Sequence, residues 1–152
     1  MRILHVYRTY FPDSQGGLEE VIRQICLNAK QHGVESRVFT LSRHARPEPI
    51  EREEALVYQA QQTLELASCG MSLAALRSFK THAEWADVIH YHYPWPFADV
   101  LHLASKVTKP TLVTYHSDIV RQRLLGRVYR PLMNRFLGDV DRIICTLSLI
   151  HI

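Results

Sequence analysis

Hydrophobic and polar positions near the N-terminus predict a strand, a helix and a second strand. The apolar run Ile3–Tyr7 is strand-like, and Leu18–Gln31 carries its apolar residues at helical spacing. Val34–Leu41 is rich in β-branched and aromatic residues, which favours a second strand. Gly33 stands between the helix and that strand as a helix stop signal.

The same alternation continues along the rest of the chain. The pattern predicts further strands and helices, with strands at Leu56–Ala60, Asp87–Tyr93, Pro110–Tyr115 and Arg142–Thr146 and helices at Ser72–Ala83, Phe97–Lys106 and Arg127–Leu137. Ser42–Glu54 is predicted to be a loop, and Gln61–Gly70 is ambiguous. Strands that alternate with helices indicate an α/β protein, with a Rossmann-like, open, mostly parallel sheet and helices on both faces.

Composition indicates a globular protein and places few constraints on its partners. The chain has 152 residues, of which 47% are apolar and 22% charged, as expected for one globular domain. No apolar run has the length that a bilayer requires, and the N-terminus is a poor signal peptide, so we expect a cytosolic protein. The net charge of +3 permits an anionic partner without requiring one. Cys26, Cys69 and Cys145 form no C-x-x-C and are expected to be reduced and buried.

Two adjacent glycines precede the first predicted helix. In open sheets of this kind, ligands bind beyond the carboxyl ends of the strands, which is where Gly16 and Gly17 are expected. Glycine lets a ligand approach the backbone, and a helix N-terminus offers free N–H groups that suit a phosphate. The alternative is a plain flexible turn. The pair belongs neither to a G-x-G-x-x-G fingerprint nor to a P-loop, so ordinary dinucleotide or P-loop binding is disfavoured.

A polar quartet follows the predicted strand Pro110–Tyr115. His116 can donate to a sugar hydroxyl or polarise a leaving group, and Asp118 can accept from a hydroxyl or orient the imidazole. The alternative is that Ser117 or Asp118 caps a helix that starts near Ile119. Both interpretations can hold at once.

Two other groups of residues have functional and structural interpretations. His90 and His92 share one face of a strand and could chelate a metal, but no third ligand is nearby in sequence, so a packed or hydrogen-bonded pair is favoured. A basic segment could meet an anionic membrane or a lipid phosphate, although the solvated face of an amphipathic helix is favoured. Its arginines are Arg121, Arg123, Arg127, Arg130 and Arg135.

Four stretches together resemble glycosyltransferase family 4, the retaining transferases of the GT-B fold. They read M-R-I-L-H-V-Y with F-P-D-S-Q-G-G-L-E-E, then D-V-I-H-Y-H-Y-P-W-P-F-A-D, then T-L-V-T-Y-H-S-D-I-V-R-Q, and finally D-V-D-R-I-I-C-T. Each stretch is weak alone, whereas their order and spacing are specific. The resemblance implies that Gly16 and Gly17 approach the donor phosphates and that His116 lies near the hydroxyls of the donor sugar. Asp118 falls in the same motif, and with His116 it is the candidate catalytic residue.

The resemblance also implies an activity. Residues 1–146 correspond to the N-terminal, acceptor-side half of a GT-B hexosyltransferase, and nothing in the chain matches the donor-binding half, so we expect this part alone to be nearly inactive. The whole enzyme would move a sugar from a nucleotide-sugar to a hydroxyl acceptor, for example a lipid-linked glycan in cell-surface polysaccharide synthesis. It would work in the cytoplasm, with peripheral membrane contact as an option. No metal, cofactor or nucleic acid is implied.

Two other functions stay open from the residues. A nucleotide-sugar epimerase of GT-B-like architecture would need carboxylate acid–base groups, for which Glu19, Glu20 and Asp118 are the candidates. A non-enzymatic, flavodoxin-like binding module would bind its ligand without a second domain.

The last six residues have an unusual origin in our interpretation. Residues 147–152 read Leu-Ser-Leu-Ile-His-Ile, which is also the translation of a transposon-end adapter used in DNA library preparation. We therefore expect a non-native tail and exclude Ser148 and His151 from the candidate site. The alternative is a natural apolar strand ending, and the downstream coding sequence distinguishes the two.

Overall fold

Strands and helices alternate along the chain as the sequence predicts. The computed structural model describes residues 1–66, 69–116 and 123–146. The strands are β1 Arg2–Val6, β2 Glu35–Ser42, β3 Ile50–Glu51, β4 Leu56–Gln61, β5 Leu64–Leu66, β6 Cys69–Met71, β7 Val88–Tyr93, β8 Thr111–Tyr115 and β9 Arg142–Cys145. The helices are α1 Gly17–Gln31, α2 Leu73–Trp85, α3 Pro96–Ser105 and α4 Arg123–Asp139.

The main sheet has the strand order of a doubly wound fold. Seven of the described strands pair in the order β3-β4-β2-β1-β7-β8-β9, and all pairs are parallel except β3 with β4. The chain first builds outward from β1 through β2 to β4 and then returns to the other side of β1 with β7. That reversal puts a topological switch point between β1 and β7, where open sheets of this kind bind their ligands.

Helices cover both faces of the sheet, which confirms the predicted fold class. On one face, α2, α3 and α4 contribute Phe79, Leu101 and Phe136 to the larger core cluster, and each of these side chains is fully buried. On the other face, α1 contributes Ile22 and Cys26 to a second cluster. Because helical spacing places the apolar residues of each helix on one side, every helix can bury that side and expose the other.

The end of α1 shows why a glycine follows it. Gly33 has a φ of 73°, and its N–H donates to the carbonyl of Lys30 while the N–H of Val34 donates to that of Ala29. This pair of bonds forms a Schellman motif, in which the residue after the helix takes a left-handed conformation that glycine adopts without steric cost.

Several details differ from the sequence prediction. Within the predicted loop Ser42–Glu54, the two residues of β3 pair with β4. The ambiguous segment Gln61–Gly70 includes β5 and the first two residues of β6, and these strands pair in antiparallel orientation. Such short strands have too few residues to show a clear period. The prediction that all three thiols are buried is wrong. Cys26 is buried, Cys69 is half-buried and Cys145 is exposed, because the edge strand β9 is exposed along its length.

Candidate functional site

The loop between β1 and α1 is fixed to the neighbouring strands. This glycine loop, residues 7–16, follows β1 at the carboxyl edge of the sheet. The fully buried Tyr10 donates its hydroxyl to Oε1 of Glu54 at 3.0 Å. The same oxygen accepts from Nε of Arg52 at 2.7 Å, and the guanidinium of Arg52 lies 4.8 Å from the ring centre of Phe11. The loop therefore reaches α1 from an anchored position.

The structure gives a reason for glycine at position 16 that the sequence did not reveal. Gly16 caps α1 with extended angles, φ −136° and ψ 174°, so no left-handed backbone requires glycine there. A Cβ atom on Gly16 would lie 2.5 Å from Oε2 of Glu19. The buried Glu19 is held in place by Thr9 and Ser14, whose hydroxyls donate to its Oε1 at 2.9 and 2.7 Å. Gly16 thus leaves room for a carboxylate that ties the glycine loop to α1.

Gly17 is different, because its Cα faces open space. It is the first residue of α1, and among the described residues, apart from its chain neighbours and the nearby backbone of α1, no heavy atom lies within 4 Å of the position that a Cβ would take. Packing within the described part of the chain therefore does not require glycine here, and both the predicted approach of a ligand and a plain turn remain compatible with it. Glu19 and Glu20 stand in the first turn of the helix, and their charges oppose the attraction of this N-terminus for an anion. Contact between Gly17 and the phosphates of the sugar donor remains a prediction.

Carboxylates proposed for the epimerase alternative are already engaged. Glu19 accepts from Thr9 and Ser14 as described above, and Glu20 pairs with Nη1 of Arg23 at 2.9 Å. Neither side chain is a free acid–base group in this arrangement. Asp118, the other candidate, lies outside the described residues, as does Ser117.

His116 follows β8 at the same edge as the glycine loop. Because β1, β7 and β8 are adjacent and parallel, the residues after each strand lie on one edge of the sheet. The backbone N–H of His116 donates to the carbonyl of Tyr93 at 3.0 Å. Its half-buried ring has Nε2 at 3.3 Å from Nδ1 of His92. Burial lowers the pKa of His116, which favours the neutral imidazole. Its role at a donor sugar stays a prediction.

A third histidine joins the His90 and His92 pair, which the sequence did not anticipate. His5 on β1 lies opposite His90 in the sheet register, and one ring nitrogen from each of His5, His90 and His92 lies within 4.8 Å of the others. Nε2 of His90 is 2.7 Å from Oγ1 of Thr114, and Nδ1 of His5 is 3.1 Å from Nε2 of His92. The cluster therefore has internal hydrogen bonds, as the favoured interpretation of the pair predicted. His5 could have been added to the pair only by knowing that β1 pairs with β7 and that alternate residues of each strand share a face.

Burial makes these imidazoles neutral. It lowers the pKa of His5 to about 3 and that of His90 to about 4, and in both residues a neighbouring histidine adds a smaller effect in the same direction. The pKa of His92 is lowered well below its ordinary value for the same reasons. Neutral imidazole is also the form that ligates metals, so these residues could hold one.

The sequence analysis also missed a polar cluster on the face of the sheet that α3 and α4 cover. Asp99 on α3 is fully buried and accepts a hydrogen bond from the hydroxyl of Tyr129 on α4. The hydroxyl of Tyr129 also lies 2.8 Å from that of Tyr93. Burial raises the pKa of Asp99 to about 7, partly opposed by the hydrogen bond from Tyr129.

The described side chains of the basic helix α4 are those of an amphipathic helix with a solvated face. On α4, Arg130 and Arg135 are exposed, whereas Phe136 is fully buried. Arg121 and the side chains of Arg123 and Arg127 lie outside the described residues. None of the helices within the described ranges combines the length and apolar character needed to cross a bilayer.

The described part of the chain also has concave surfaces away from the predicted site. One of about 460 Å³ lies along α1, lined by Glu20, Val21, Gln24, Ile25 and Asn28. Another of about 220 Å³ lies near the end of α3, with Lys80, Ala83, Ser105 and Lys109 among its lining residues. Neither of these two surfaces is lined by Gly17 or His116.

Comparison with known protein families decides the family of the chain. The sequence profile of Glycosyltransferase Family 4 matches residues 15–148. The chain belongs to this family. Its matched range includes Gly16 and Gly17 at the start of α1, all the described strands after β1, and His116.

Two curated relatives of this family 4 chain are named as glycosyltransferases. D-rhamnosyltransferase WbpZ of Pseudomonas aeruginosa is 46% identical over 144 residues, which cover 95% of this chain and 38% of the relative. O-antigen chain mannosyltransferase C of Escherichia coli is 44% identical over 146 residues, which cover 96% of this chain and 39% of the relative. The chain thus spans less than two fifths of the length of either relative.

A solved structure shares the fold of the family 4 chain. Sucrose-phosphate synthase from Thermosynechococcus elongatus superposes with a TM-score of 0.70 at 16% identity, over 93% of this chain and 41% of that one. At this identity the likeness shows the fold alone, and it agrees with the predicted Rossmann-like half of a GT-B protein.

Proposed function

We propose that residues 1–146 form the acceptor-side half of a retaining glycosyltransferase that transfers a hexose from a nucleotide-sugar to a hydroxyl acceptor. The observation that carries the proposal is the 44–46% identity to a rhamnosyltransferase and an O-antigen mannosyltransferase across 95–96% of this chain. Identity at this level over nearly the whole chain supports a shared type of reaction. The acceptor in this proposal is a growing cell-surface polysaccharide, reached in the cytoplasm or at the inner face of the membrane.

Chemistry at the carboxyl edge of the sheet suits this reaction. Sugar transfer from a nucleotide-sugar needs hydrogen-bond donors near the leaving phosphate and near the sugar hydroxyls, fixed before the reaction starts. Gly17 offers backbone beside open space, and the half-buried His116 offers a neutral imidazole. Because Glu19 and Glu20 stand in the first turn of α1, this half alone is a poor site for a diphosphate. We therefore assign most of the donor affinity to a second domain.

The experiment compares the 152-residue chain with an extended protein, in which residues 1–146 continue through the natural coding sequence into a donor domain. Both proteins are titrated with nucleotide-activated mannose and rhamnose and assayed for transfer. The proposal expects weak or no donor binding by the chain, and both binding and transfer by the extended protein. Full binding by the chain, with no gain on extension, would contradict the proposal and favour a binding module.

A further inference from the structure

Three imidazole rings form a hydrogen-bonded row across three neighbouring strands. The row consists of His5 on β1, His92 on β7 and His116 after β8, with N···N distances of 3.1 Å from His5 to His92 and 3.3 Å from His92 to His116. The planes of the first two rings differ by 25° and those of the last two by 20°. We call these residues the histidine row. It connects the buried interior of the sheet with its carboxyl edge.

Burial restricts the protons that the histidine row can carry. His5 and His92 are fully buried, and their pKa values are lowered chiefly by that burial, so each ring is neutral and has one N–H. His92 uses Nε2 toward His5 and Nδ1 toward His116. It must therefore donate on one side and accept on the other. All donors in the row consequently point in one direction, either toward His116 or toward His5.

The buried end of the row decides that direction. Nε2 of His5 is buried and has no hydrogen-bond partner among the described residues. If the donors pointed toward His5, its Nδ1 would accept and its proton would sit on Nε2 as a buried N–H without an acceptor. With the opposite direction, only a lone pair is left unused there. Orphaned buried N–H groups are rarer in proteins than unused acceptors, so the second arrangement is favoured.

The direction fixes the proton of His116. His92 then donates from Nδ1 to Nε2 of His116, and the single proton of the neutral His116 ring resides on Nδ1. That nitrogen makes no hydrogen bond to any residue in the described ranges, and the ring is half-buried. We propose that His5 and His92 are positioning residues that hold His116 as a neutral Nδ1–H donor at the carboxyl edge of the sheet. This inference rests on the proposed function, in which that donor meets a hydroxyl oxygen of the donor sugar.

A fixed tautomer has a consequence for recognition. His116 can donate from Nδ1 but cannot accept there, so it selects an oxygen lone pair and not a hydroxyl proton. Because the ring is held by His92, it need not reorient when the sugar binds, which is how preorganised donors lower a barrier.

Nitrogen NMR of the extended protein, with ¹⁵N-labelled histidine, reads the tautomers directly. The expected result is a neutral His116 with its proton on Nδ1. A proton on Nε2 of His116 would overturn the proposal. Added Zn²⁺ should leave the ring nitrogens of His5 and His92 unshifted, whereas a zinc-dependent shift of either would overturn the row in favour of a metal centre. These spectra do not depend on transfer, so a protein that transfers no sugar refutes the proposed function separately.

A pair of variants tests the effect on the reaction. His92→Phe removes both nitrogens of His92 from the row, and we expect His116 to become a mixture of tautomers. We expect kcat to fall by about 10–100-fold, the range typical for losing a hydrogen-bond partner that orients a metal-bound histidine. Thr114→Val is the matched control, because it lies beside His92 in the sheet register and removes a buried hydrogen bond to His90, while every ring nitrogen of the row is kept. The control should keep kcat within about twofold. Equal losses of kcat in both variants, with a single unchanged His116 tautomer in His92→Phe, would contradict the proposal.

Discussion

Replacing Gly17 by alanine should separate the role of this glycine in the reaction from its role in folding. Gly17 is the first residue of α1, its backbone is helical, and a Cβ would meet no heavy atom within 4 Å in the described part of the chain beyond its chain neighbours and the backbone of its own helix. Alanine is a better helix residue than glycine, and such substitutions at compatible sites stabilise proteins by about 0.4–1 kcal/mol. We therefore expect the Tm of the extended protein to stay the same or rise slightly.

Activity should respond in the opposite direction. If the donor approaches the backbone at Gly17, a methyl group there pushes it away from the N–H groups of α1. A loss of about 1.4 kcal/mol in that contact corresponds to a tenfold fall in kcat/KM. We expect at least that loss, together with a weaker affinity for the nucleotide-sugar.

The assay combines thermal melting with steady-state transfer kinetics on the same preparations. Gly138→Ala is the matched control, because Gly138 also lies in a helix, α4, and its Cβ position has no neighbour within 4 Å among the described residues outside the backbone of that helix. It is distant in sequence from the glycine loop. It should leave kcat/KM unchanged. If Gly17→Ala keeps full kcat/KM and donor affinity, the glycine is a plain turn residue and our reasoning about ligand approach is wrong.

Two further substitutions follow from the same contacts. Gly16→Ala should lower the free energy of unfolding by about 2 kcal/mol, because the new Cβ displaces Glu19 from its two hydrogen bonds. Chemical denaturation measures this loss, and an unchanged free energy of unfolding would show that Glu19 moves without cost. Asp99 has a folded pKa raised to about 7, so its stabilising contribution is complete below its ordinary pKa and is lost as pH rises through 7. Asp99→Asn cannot ionise and should therefore melt higher relative to wild type at pH 8 than at pH 5, and an identical difference at both pH values would contradict the assignment.

Much of the fold could be predicted from the sequence because its signals are local. The helical spacing of Leu18–Gln31 and the stop at Gly33 correspond to α1 and its Schellman motif. The short strands β3, β5 and β6 escaped prediction because segments of two or three residues show no period. Their existence depends on neighbouring strands and not on their own composition.

The candidate site was only partly predictable for a related reason. Gly17 and His116 follow strand ends, a position that sequence can recognise. His5 gave no signal, because its link to His92 spans 87 residues and exists only through the pairing of β1 with β7. Glu19 likewise looked like a free carboxylate until the structure placed Thr9 and Ser14 against it.

The most direct test of the account is the kcat/KM of His116→Ala in the extended protein with its nucleotide-sugar donor. The substitution keeps the backbone hydrogen bond to Tyr93, and water can reach the half-buried position, so the protein should remain folded. Loss of one hydrogen-bonding group aimed at a transition state is worth about 10²–10³ in rate, and we expect kcat/KM to fall on that scale with an unchanged Tm. A folded His116→Ala protein that transfers sugar at the wild-type rate would contradict the assignment of this edge of the sheet to the reaction.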